Sequence, residues 1–161
     1  MKVLKIIAAG LPLFKEELDI CLYAQQRVSE DQKDVLFPLF SNIYLNPANG
    51  FIGINASGKT SVLKVILLAL GILNNEPINH LETKDILGNA QEAVFNIFFY
   101  TESNKEICRL ETTIASSKTK TEGTVYRILS EKLWSKQTDE VITRKSLLNF
   151  DGKDPVLLRS G

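Results

Sequence analysis

The sequence predicts an α/β fold in which a loop and a long helix are followed by an antiparallel β-meander. Three observations predict it. Residues Gly53 to Thr60 read Gly-Ile-Asn-Ala-Ser-Gly-Lys-Thr, the spacing G-x-x-x-x-G-K-[ST] of a phosphate loop. Ser61 to Leu73 then run as Ser-Val-Leu-Lys-Val-Ile-Leu-Leu-Ala-Leu-Gly-Ile-Leu, apolar on nearly every side, as expected of a helix buried beneath a parallel sheet. From Ala93 the pattern changes period: Ala93–Thr101 is aromatic-rich and strand-like, and Glu106–Ala115 alternates as a half-buried strand does.

Taken in order, Val3–Ala9 reads as a first strand and Leu18–Ala24 as a second, with Leu18, Ile20 and Leu22 on one face. Gly10 to Glu17, with Pro12 and several charges, is the turn between them. Gln25 to Asp34 is polar, a loop or a short solvated helix before Val35-Leu36-Phe37. A phosphate loop needs a buried strand ahead of it, and Ser41–Leu45, Asn46 to Gly50 and Phe51-Ile52 lead into Gly53. Asn74-Asn75-Glu76-Pro77 stops the helix. Ile78 to Ala90 shows no clear period. Beyond it, Ala93–Thr101, a turn at Glu102 to Lys105, and the alternating Glu106–Ala115 form a hairpin. Ser116 to Gly123 is a polar loop, Val125–Trp134 a third strand of the meander and Glu140–Thr143 a short fourth. The 161 residues, 44% hydrophobic and 24% charged, fit one domain, with residues 1–75 carrying the first strands, loop and helix and 76–161 the antiparallel part.

Charge and cysteine content narrow the function classes. Nineteen basic and nineteen acidic residues cancel, so no global basic footprint points to nucleic acid. Cys21 and Cys108 lack metal-ligand spacing and read as buried free thiols of a reducing cytoplasm. Lys2 and Lys5 before an apolar run imitate a secretory leader. That run is short, holds Pro12 and ends at Lys15-Glu16-Glu17 without a small-residue cleavage site. The helix after the loop, at roughly 20 Å, is too short to span a membrane.

The loop carries the chemistry. Gly53 and Gly58 allow sharp turns on either side of Ile54, Asn55, Ala56 and Ser57, so that the backbone from Asn55 to Thr60 can wrap a β-phosphate. Lys59 reaches the outer phosphates, the Thr60 hydroxyl can ligate Mg2+, and Ser61 can hydrogen-bond the α-phosphate from the helix start. The expected ligands are therefore ATP and magnesium. Outside this site the Lys118/Lys120 segment is an anionic-contact candidate better read as a solvated hairpin tip. His80 reads as a solvated or capping residue, and Leu147 to Asp151 as a surface turn.

Strand, turn, strand, Gly-Ile-Asn-Ala-Ser-Gly-Lys-Thr, apolar helix and antiparallel sheet together resemble the N-terminal lobe of an ABC/SMC/RecF-type P-loop NTPase head. The likeness is greatest to the AAA-family ATP-binding proteins related to the overcoming-lysogenisation-defect group, some of which serve in phage defence. LKIIAAGLPLFKEELDICL resembles that group's opening strands and turn, FIGINASGKTSVLKVIL its loop and helix with Asn55 at the third motif position, and AVFNIFFY with ICRLETTI its next strand pair. Leu11-Pro12-Leu13-Phe14 stands where the group often has an arginine, and Ala56 where transporter ATPases have glycine. The resemblance implies ATP hydrolysis in a head-to-head homodimer, coupled to an effector nuclease or to DNA, with Gln91 in the place of a metal-touching glutamine. It also implies a signature serine motif, an Asp-Glu strand end and a late histidine, and these residues contain none of them. The expectation is thus a partial ATPase domain that binds ATP with little turnover. Two other classes stand beside it: a complete small P-loop kinase or GTPase, and a non-enzymatic interaction module with a relic loop.

Overall fold

The computed structural model describes residues 1–52, 58–119 and 123–160. Its centre is a six-stranded sheet built from β1 (Lys2–Ala9), β2 (Leu18–Cys21), β5 (Ala93–Thr101), β6 (Glu106–Thr119), β7 (Gly123–Gln137) and β8 (Leu157–Ser160). The spatial order is β2-β1-β5-β6-β7-β8, and every neighbouring pair is antiparallel. The remaining strands, β3 (Phe37–Phe40) and β4 (Ile43–Leu45), form a separate antiparallel hairpin, which a single antiparallel bridge from Leu45 to Tyr23 ties to the chain beyond β2. A short α1 (Glu30–Lys33) precedes the hairpin and α2 (Lys59–Leu73) follows it.

The expected α/β P-loop NTPase architecture is thereby overturned: no parallel pairing occurs among the described strands. The reason lies ahead of the loop. The segment expected to be a buried feeder strand turns back onto Phe37–Phe40 instead. Ile43 and Tyr44 are buried there, whereas Phe51 and Ile52 lie exposed, Ile52 completely. With no strand entering the main sheet next to α2, there is no β-α-β crossover, and hence nothing to force parallel strands.

The helix itself is not buried all round. Val65, Leu68, Ala69 and Ile72 press onto the sheet, while Leu63 and Leu67 are 50% and 57% exposed. Their core partners are Ile6 and Ala8 of β1, Ala93, Phe95 and Ile97 of β5, and Ile114 of β6. Two 3-10 turns, Ile78–His80 and Glu82–Leu87, occupy the stretch without clear periodicity and add Ile78, Ile86 and Leu87 to this core. On the opposite face, Leu4, Phe98, Tyr100 and Ile107 are covered by Ile43 of the β3–β4 hairpin and by Leu147 and Phe150.

One irregularity serves both layers. The register of β1 against β5 shifts between Val3 and Lys5, so the extra residue sends Leu4 to one face and Ile6 and Ala8 to the other. Without that bulge the alternation would place all three on the same side.

Three strand limits also differ from expectation. β6 and β7 pair as far as Thr119 and Gly123, so most of the expected polar loop is ladder. The strand expected over Glu140–Thr143 does not form: Glu140 ends a 3-10 turn, Thr138–Glu140, and the last strand of the meander is β8. The expected surface turn at Leu147 to Asp151 does turn, yet it buries Leu147 and Phe150, because they seal the second core.

Candidate phosphate-binding site at the start of α2

Gly58 is the N-cap of α2 and sits at φ +84°, a left-handed conformation that side chains other than glycine rarely take. The Val62 amide donates to the Gly58 carbonyl at 2.9 Å, closing the first helical turn. The helix therefore starts at Lys59, two residues before the expected Ser61, and Lys59, Thr60 and Ser61 all fall in its first turn. Thr60 is exposed, and Lys59 and Ser61 are half-buried. No acidic side chain occupies that turn and no side chain caps Gly58. The first amide groups and the positive end of the helix dipole are consequently not offset by a carboxylate of the helix itself. Gly53, Ile54, Asn55, Ala56 and Ser57, the other expected phosphate contacts, lie outside the described residues.

The β1–β2 turn closes in beside this helix start. A Cβ placed on Gly58 would lie 4.0 Å from Cε1 of Phe14, whose amide donates to the Leu11 carbonyl at 3.0 Å. Leu11 is buried at 2% and holds the turn to the core. Gly10, at φ +75°, lets the chain pass so near Glu92 that an added Cβ would sit 2.1 Å from its carbonyl oxygen. Sequence reasoning singled out this turn only for the arginine it lacks. The signal it overlooked was apolar: Leu11 and Phe14, three apart, anchor one turn of chain against the core.

The other candidates are dispersed. Gln91 is exposed just before β5, next to the residue that Gly10 packs against. His80 is exposed at the end of its 3-10 turn, and Lys118 is exposed near the end of β6. Lys120 lies outside the described residues. Cys108 is buried, which raises its thiol pKa, and Cys21 is only half-buried. Among the described residues no group of three or more His, Cys, Asp or Glu side chains could hold a metal ion. No helix among the described residues is long and apolar enough to cross a membrane.

Compared with protein-family models, with curated proteins and with solved structures, the chain matches none.

Proposed function

We propose that the chain binds ATP with magnesium through Gly53 to Ser61, in the cytoplasm where both are held. What supports the reading most is the coincidence of motif and helix start. Gly58 of the sequence pattern is the left-handed residue that opens α2, and Lys59 and Thr60 stand in an acid-free first turn. An anion cradle of this kind needs amide groups, a helix N-terminus and a cation. It does not require a parallel sheet behind it. In this reading Lys59 grips the outer phosphates, Thr60 offers its hydroxyl to the metal, and Ser61 reaches the phosphate nearest the nucleoside. The resemblance to ATP-binding heads of the lysogenisation-defect type supports ATP over other triphosphates. No apolar strand of the sequence ends in Asp-Glu to position an attacking water, so binding dominates and turnover is slow.

Titration calorimetry of ATP into the wild-type chain and the Lys59→Ala variant tests this. Removing a charge-assisted contact should weaken binding about tenfold or more. Equal affinity of the two proteins, or none in either, removes the reading. A clear preference for GTP would favour a complete small P-loop enzyme.

A further inference from the structure

A second cleft lies on the other side of the molecule's second core, between the β3–β4 hairpin, α1 and the segment that begins at Val141. It encloses about 580 Å3, within the range of small-ligand sites. Arg27, Lys33 and Arg144 all line it, against the single carboxylate of Glu30. Lys33 neutralises Glu30 at 2.6 Å, so the two guanidinium groups are in excess. Arg144 commits one nitrogen to the Asn42 carbonyl at 2.9 Å and keeps the rest of its fork. Arg27 has no hydrogen bond or ion pair among the described residues.

Two aromatic residues also line the cleft. Phe40 lines the cleft and leans on Tyr100 with ring centroids 5.1 Å apart. Tyr44 also lines it, is only 9% exposed, and its hydroxyl has no hydrogen-bond partner among the described residues. A phenol hydroxyl that makes no hydrogen bond within the described protein is an available donor. Ser41, at the tip of the hairpin on the rim, holds a left-handed φ of 47° although it is not glycine. A left-handed residue there is what the two-residue turn between Phe40 and Ile43 requires.

Guanidinium forks match the oxygen geometry of phosphate, and aromatic walls match a flat ring. We propose that this cleft binds a nucleoside monophosphate, its phosphate held by Arg27, Arg144 and the Tyr44 hydroxyl and its base against Phe40. None of the described lining residues belongs to the first turn of α2.

The test uses the full chain carrying Lys59→Ala, which disables the phosphate loop. AMP, adenosine, inorganic phosphate and phosphotyrosine are each titrated into it by calorimetry. AMP should bind saturably and more tightly than adenosine or phosphate alone, and Arg27→Gln should weaken it about tenfold. Arg27 has no partner to lose, so this variant keeps the fold. Arg144→Gln should act likewise, but it also releases the Asn42 carbonyl, so Arg27 decides. The proposal is overturned by AMP failing to bind, by AMP binding no better than phosphate, by affinity unchanged in Arg27→Gln, or by phosphotyrosine binding where AMP does not.

Discussion

The two faces of the six-stranded sheet are covered by different means. On one, α2 and the 3-10 turns lay down a continuous apolar surface, with Leu68, Ile86, Leu87 and Phe95 all at 2% exposure or less. On the other, the β3–β4 hairpin and the segment through Phe150 bring fewer apolar side chains, and directed polar ties hold them. Arg144 bonds the Asn42 carbonyl, Trp134 Nε1 donates to the Lys153 carbonyl at 3.1 Å, and Lys136 donates to the carbonyls of Ser146 and Asn149 at 2.5 and 2.6 Å. Arg109 stacks 4.7 Å over the Trp134 ring while bonded to Asn96 and Glu111. Burial of area is undirected and tolerant, whereas each polar tie depends on one geometry. The helix face should therefore carry most of the stability, and the hairpin face should fix the position of particular segments.

Emptying the helix face gives the largest effect. Phe95→Ala, at a fully buried position on the central strand β5, should cost about 3–5 kcal/mol, measured by denaturant unfolding. A loss below about 1 kcal/mol would mean that this face is not the principal core.

On the opposite face Lys136 supplies the sharpest contrast. It is 5% exposed, has no carboxylate bonded to it, and lies 4.6 Å above the Phe150 ring. Lys136→Met keeps the stem but orphans two carbonyls, so a loss of about 2 kcal/mol is expected. Hydrogen exchange should locate it between residues 144 and 150 before the rest of the sheet. Burial also holds the ammonium pKa below its ordinary 10.5. Between the folded value and 10.5 the unfolded chain binds the extra proton, so the contribution of Lys136 to stability rises with pH across that window. The gap between wild type and Lys136→Met should thus widen as the solution is made alkaline. A gap that narrows would show that the charged form is the one favoured inside.

The helix face has polar ties of this kind too, from Ser116 to the Ala90 carbonyl, from the Tyr126 hydroxyl to the Gly88 carbonyl and from Asn79 to Tyr126. The Asn79 side chain accepts from the Tyr126 amide at 2.9 Å and donates to its carbonyl at 2.8 Å, imitating a strand at the outer edge of β7. β8 pairs with β7 only from Ser130 to Leu133, so Asn79 protects edge that β8 leaves open. Asn79→Ala should cost about 1–2 kcal/mol and raise self-association in light scattering, because an unpaired edge invites another strand. Unchanged scattering would assign the protection to something other than Asn79.

How far the sequence reveals this arrangement depends on whether the information is local. The hairpin of β5 and β6 was legible because alternation and a polar turn are adjacent in the chain, and the observed pairing of Thr101 with Glu106 follows from them. The first strand was legible for the same reason. The partner of Ile43 and Tyr44 was not: an apolar run before a phosphate-loop motif fits a parallel feeder strand as well as a hairpin arm. Only the tertiary pairing with Phe37–Phe40 decides between them. Strand β8, with all of its residues exposed, offers no burial pattern to read. At the candidate site, the spacing of Gly58, Lys59 and Thr60 marks them in the sequence, and the structure adds that Gly58 opens α2. Phe14 and the cleft of Arg27, Tyr44 and Arg144 were not, since their members are brought together only by folding.

The helix carries the smallest and most discriminating prediction. Its sequence is apolar at neighbouring positions Leu67 and Leu68, and periodicity alone cannot say that one is in and the other out. In the fold Leu68 is fully buried and Leu67 is 57% exposed. Leu68→Ala should cost about 3–5 kcal/mol, whereas Leu67→Ala should stay within about 0.5 kcal/mol, since alanine is the better helix former and little packing is lost. Equal and large losses at both would require the outer side of α2 to be covered in solution. That result would restore the helix buried all round, and with it a second layer beyond the antiparallel sheet.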